Sequence, residues 1–264
     1  LLPLEENGRQ PNSLRQAFQA SPAVVSWLLG AYTPQAASSD LEYTPLNGDI
    51  AEEMAAAVFD LENMPSADVF NSIHPLVCLF GEDLMQQDVV VRQLSTALHQ
   101  PLLKLNIQPE CSLESALEQL YPAVRDARML GAMLNIQGAD VFIDRDGCLV
   151  TEAFEALRML DDSIVLISKQ PCRLSDEMPG NDYPLMRIHI KRLSTSDRID
   201  LWKTMLDGVT DEMPPQTIEA LAGQFMLTTG QIVAAASAAM TRALQEGRLL
   251  QSTDLFEAAR CHSG

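Results

Sequence analysis

The chain has 264 residues, 47% hydrophobic and 20% charged, enough to bury a large core, and it contains no run of 18 apolar positions able to cross a bilayer. Its 36 acidic residues against 18 basic ones leave a formal net charge of -18, a field that repels phosphate backbones and argues against nucleic acid as a partner. The five cysteines, Cys78, Cys111, Cys148, Cys172 and Cys261, are odd in number and lack CxxC spacing, which argues against a disulfide framework or a zinc site and fits a reducing cytoplasm.

The chain begins Leu-Leu-Pro with neither an initiator Met nor a signal-peptide pattern, so a piece of a longer protein is expected, with a further domain after residue 264. The first helix signal has Ser21 as N-cap, Pro22 at the first helical position and Gly30 as stop, and its apolar face needs something to pack on. Residues 31–49, mixing Pro, Ser, Asn and Asp, read as a loop or linker with a soft boundary near residue 47. Asp49 then caps an Ala-rich helix to about Asn63.

From there short apolar runs alternate with amphipathic ones. The runs at 75–80, 102–107, 132–136, 164–168 and 185–190 read as five strands, with helices at 88–100, 112–130 and 150–160 between them. Strands joined by helices imply a mostly parallel sheet covered on both faces, and Pro122 is expected to kink or split the second of these helices. After residue 193 the pattern is helical only, at 194–208, 214–225, 228–247 and 252–260, three helices opened by Ser or Thr and one by Pro. The expected architecture is a three-layer α/β core over 48–192 on a five-stranded parallel sheet, a helical bundle over 193–264, and an N-terminal helical segment with its linker over 1–47.

The first strand of this core runs into Gly81, where a P-loop would carry GxxxxGK[ST]. Only the first glycine is present. Gln86 stands at the second glycine position, Gln87 at that of the phosphate-contacting lysine, and Asp88 at that of the magnesium-binding hydroxyl. Loss of the lysine charge and a carboxylate near the phosphates disfavour ATP, while the helix N-terminus still offers N–H groups for weak ATP or ADP binding with magnesium. The blander reading is a strand-to-helix turn with a convenient glycine.

This order of elements resembles the AAA ATPases over about residues 49–260. In that family the third core strand ends in Asp-Glu-x-Asp; here the run MLNIQGAD places Gln137 at the metal-holding Asp, Gly138 at the water-activating Glu and Asp140 at the final Asp. Neither a neutral amide nor a glycine can do that chemistry, so the resemblance implies a P-loop-like fold without hydrolysis. Lys169 lies near the family's polar sensor position at the end of the fourth strand, and the alternative is a solvated lysine. The resemblance also implies a lid, with Gly230 followed by Gln231 where an arginine often reaches the nucleotide.

A degenerate module ahead of a competent one is similar to the first half of bacterial two-module AAA ATPases. That likeness implies a second AAA module in the parent chain, protein substrates or partners, a homo-oligomer, and a role in assembly, regulation or recruitment. Two other readings stay open: an ATPase using Gly81, Asp140 and Lys169, and a clamp-loader-like subunit. The segment DRDG at 144–147 has Phe142 and Ala153 at the outer ligand positions of a calcium loop and reads as a turn. Arg187, Lys191 and Arg192 read as a solvated strand end, and Met205, Met213 and Met226 as gap fillers of the lid.

Overall fold

The computed structural model describes residues 2–3, 18–19, 22–30, 32, 41–46, 72–160, 162–176, 183–206 and 215–263. A two-residue pairing of β1 (Leu2–Pro3) with β2 (Phe18–Gln19) stands apart from a six-stranded sheet. That sheet comprises β3 (Leu41–Thr44), β4 (Leu76–Gly81), β5 (Leu102–Asn106), β6 (Met133–Gln137), β7 (Ile164–Ser168) and β8 (Leu185–Ile190), in the order β3-β5-β6-β7-β4-β8. All its pairings are parallel except β3 with β5.

Five of these strands are the five apolar runs. The sixth, β3, corrects the reading of 31–49 as loop: Leu41–Thr44 pairs antiparallel along β5. An edge strand of four residues between Pro-rich flanks carries little local signal, because its pairing is a tertiary event. The helix expected from Asp49 to Asn63 lies outside the described residues.

The central strands are apolar at consecutive positions because both faces are covered. On one face Val77, Leu79, Met133, Val165 and Ile167 pack under α2 (Leu84–Leu98), through its stripe Val90, Val91, Leu94 and Leu98. On the other Leu76, Cys78, Leu103, Leu105, Leu134, Ile136 and Leu166 pack under α3 (Leu113–Leu130) and α4 (Thr151–Leu157). Pro122 does not split α3. The carbonyl it leaves without an amide partner is that of Glu118, on the exposed side of the helix where water can bind it.

The N-terminal helix is α1 (Pro22–Leu28), stopped by Gly30 at φ +69°. Its expected packing is not met among the described residues. No α1 residue is buried, and Leu28 and Leu29 stay 70% and 76% exposed. Among the described residues, α1 is tied to the core by Trp27, whose Nε1 donates to the Met129 carbonyl at the end of α3 at 2.8 Å.

The lid is built from α5 (Thr195–Met205), α6 (Pro215–Gln224), α7 (Thr229–Gln245) and α8 (Ser252–His262). Ser194 and Thr228 cap as expected, each in a reciprocal capping box, with Asp197 and Gln231 respectively. The cap of α8 is Gln251 instead of a Ser or Thr; its N–H donates to Asp254 at 3.0 Å. Small residues Ala235, Ala236 and Ala239 on α7 let α8 approach closely, around Trp202, Leu221, Ile232 and Leu255. Arg198 is buried and stitches the bundle, donating to the carbonyls of Leu193 at 2.7 Å and Ala222 at 3.0 Å. Met205 packs on this core, Met226 is 72% exposed and fills no gap, and Met213 lies outside the described residues.

Candidate nucleotide site

Chain order makes one place in the sheet special. From β4 the chain steps out to β5, returns through β6 and β7, and then crosses to β8 on the other side of β4. The C-terminal ends of β4, β6 and β7 therefore meet at the switch point where open α/β sheets bind ligands. Gly81, Gln137, Gly138 and Lys169 all lie there.

Between β4 and α2 only Glu82 and Asp83 are left. The helix begins at Leu84, so Leu84, Met85 and Gln86, which would form the phosphate-wrapping arc of a P-loop, are already helical. Gly81 adopts φ +145°, and a Cβ there would overlap the Ile190 carbonyl oxygen of β8. The glycine is therefore required by strand packing, with or without a ligand.

Asp83 is buried and serves two helices at once. As N-cap of α2 its Oδ1 accepts from the Gln86 N–H at 3.2 Å and its Oδ2 from Gln86 Nε2 at 2.9 Å. The same Oδ2 accepts from the N–H of Thr229 in the first turn of α7 at 2.7 Å, and Gln86 Nε2 also donates to Thr229 Oγ1 at 2.9 Å. The carboxylate so rests where two helix dipoles present their positive ends, the electrostatic setting that a phosphate would use. It also ties lid to core. Sequence reasoning missed Asp83, although Asp83-x-x-Gln86 ahead of an apolar stripe is a capping pattern. The contact to Thr229 spans 146 positions and leaves no local trace.

The other expected residues scatter. Gln87 is wholly buried, turns its Nε2 back onto the Gly81 carbonyl at 3.1 Å, and leaves Oε1 without a partner. Asp88 faces away along α2, held by Arg92 at 2.8 Å and by Lys104 of β5 at 3.5 Å. Asp140 and Lys169 do meet, but through the main chain: Asp140 Oδ1 accepts the Lys169 N–H at 2.9 Å while the lysine side chain is exposed. Gln231, where an arginine could have reached inward, spends its Oε1 on the Thr228 N–H at 2.9 Å.

Gly138 has a backbone reason of its own. It sits at φ +75°, and a Cβ there would overlap the Ile107 carbonyl oxygen. The position aligned with the water-activating Glu is thus one that no side chain can occupy in this backbone. Around it, Asp144 Oδ1 closes the DRDG turn on the N–H groups of Asp146 at 2.9 Å and Cys148 at 2.8 Å. Arg187, Lys191 and Arg192 are exposed as expected, and Arg192 Nε reaches Glu82 at 2.9 Å.

A crystal structure of the FIGL-1 AAA domain in complex with ADP is similar, with a TM-score of 0.51 and 14% identity over 85% of this chain and 87% of that one. The fold is that of an AAA domain. Residues 194–264, beginning at the cap of α5, match the family described as the contractile injection system ATPase helical domain. Comparison with curated proteins returns no match. No described helix is long and apolar enough to cross a membrane.

Proposed function

We propose that this chain is a non-hydrolysing AAA-type module of a larger ATPase, serving assembly or the recruitment of protein partners while ATP is turned over elsewhere, and that the parent is an ATPase of the contractile-injection kind named for its lid. The observation that carries this is Asp83. A buried carboxylate bonded at once to the first turns of α2 and α7 supplies from within the negative charge that a nucleotide phosphate would bring from outside. A bound phosphate would have to displace it or share its site, against like-charge repulsion.

The residues do not fit a magnesium nucleotide in two further respects. Gln87 and Gln137 carry no charge at the positions of the phosphate-binding lysine and the metal-holding Asp, and Gly138 cannot host a base. In place of a nucleotide-gated hinge the lid has a fixed seat on the core. A fixed lid suits a module that presents one constant surface, to a second AAA module, to a protein partner or to another copy of itself. The reading of a noncanonical ATPase gains only the Asp140–Lys169 main-chain contact, with the lysine side chain exposed. The clamp-loader reading gains nothing from the lid match, and the charge of -18 speaks against nucleic acid.

The test is phosphate release from magnesium ATP by the purified chain. The expected rate is indistinguishable from buffer, and Lys169→Ala leaves it there. Turnover above buffer that disappears in Lys169→Ala would restore the noncanonical ATPase.

A further inference from the structure

A second cluster of chemistry lies behind the sheet, unrelated to the nucleotide position. Cys78 in the middle of β4 and Cys172, four residues beyond β7, are both fully buried in the core under α3 and α4. The Cys172 main-chain N–H donates to Cys78 Sγ at 3.3 Å and Ser168 Oγ lies 3.6 Å from the same sulfur, which makes the two cysteines direct neighbours. Arg187, the residue of β8 paired with Cys78, adds a positive charge nearby. The result is an unequal pair. The Cys172 thiol, ahead of the main-chain N–H and Ser168, lowers the Cys78 thiol against its burial, while Cys78 and burial push Cys172 up.

Unequal neighbouring thiols divide the two roles of a redox pair, one reacting as thiolate and the other resolving it. We propose that Cys78 and Cys172 form a peroxide-responsive dithiol that closes to an intramolecular disulfide. The Cys78 thiolate sulfur attacks one oxygen of hydrogen peroxide and the O–O bond breaks. The departing hydroxide takes a proton to become water, leaving Cys78 as sulfenic acid. The Cys172 sulfur then attacks Cys78 Sγ; the S–S bond forms, the S–O bond breaks, and hydroxide leaves with the Cys172 proton as a second water. The two thiols lose two electrons and two protons, and peroxide is reduced to two waters.

Burial selects the oxidant. Both sulfurs are fully buried, so the oxidant proposed for the pair is a small neutral peroxide and not a peptide disulfide. The new bond would fix the connector that carries Lys169 to β4, across 94 positions of sequence.

The experiment treats the folded chain with one equivalent of hydrogen peroxide, unfolds it, alkylates the remaining thiols, and maps the peptides by mass spectrometry. The expected result is loss of two alkylatable thiols, a mass lower by two hydrogens, a Cys78–Cys172 linked peptide, and full reversal by dithiothreitol. In Cys172→Ser the Cys78 sulfenic acid is expected to persist and to be trapped by dimedone. Full alkylation of Cys78 and Cys172 while the exposed Cys261 is oxidised would overturn the proposal, as would linkage of either cysteine to any other. The wild-type map decides the matter even where Cys172→Ser fails to fold.

Discussion

Replacing Asp83 with alanine is expected to destabilise the chain by about 2–4 kcal/mol, the sum of a lost helix cap and of buried donors left without an acceptor. Two donors lose their acceptor together, the Gln86 N–H and the Thr229 N–H, and Gln86 Nε2 keeps only Thr229 Oγ1. Asp83→Asn keeps one acceptor oxygen and should cost roughly half as much, since a neutral amide gives up the charge assistance of these bonds. Thr229→Ala removes only the hydroxyl contact to Gln86 and keeps the N–H, so it should cost under about 1 kcal/mol. Urea unfolding of the three variants gives the ranking directly. An Asp83→Ala chain as stable as Thr229→Ala would mean that the junction between lid and core does not depend on this carboxylate.

The second large effect is at Gly138, and Gly131 is its control. Both adopt positive φ, +75° and +58°, but a Cβ at Gly131 meets nothing within 4 Å whereas at Gly138 it overlaps the Ile107 carbonyl. Gly131→Ala should therefore cost about 1 kcal/mol for the left-handed backbone alone. Gly138→Ala should cost roughly 3 kcal/mol or more, because strain and overlap add. Gly138→Glu, which would restore the family's carboxylate on paper, is expected to lose stability by at least as much and to gain no phosphate release. Equal costs at the two glycines would show that β6 and its following turn can yield, and with them the position of the missing base.

These two sites also show where sequence reading stops. The strands were legible because both faces of the sheet are buried, so Leu76–Phe80 and Ile164–Ser168 are apolar at nearly every position. The lid was legible because Ser194 and Thr228 sit ahead of helical periodicity. The β3 strand was not, since Leu41–Thr44 acquires its identity only by lying along β5. At the site the substitutions Gln87, Gln137 and Gly138 could be read against a template, but the template drew attention to the positions it names. Asp83 has no role in that template, and its second helix lies far along the chain. Gly138 looked like a lost side chain; only the approach of Ile107 reveals a backbone that excludes one. The Cys78–Cys172 pair was hidden for the same reason, its members being 94 residues apart without a spacing motif.

The collapsed turn with its internal carboxylate is expected to leave no room for a nucleotide. The most direct test is a calorimetric titration of the purified chain with ADP and with ATP, each in the presence of magnesium. No saturable heat up to millimolar nucleotide and no change in melting temperature are expected. Saturable one-site binding in the micromolar range, weakened by Lys169→Ala or Asp140→Ala, would contradict this and return the junction of β4, β6 and β7 to service as a nucleotide site.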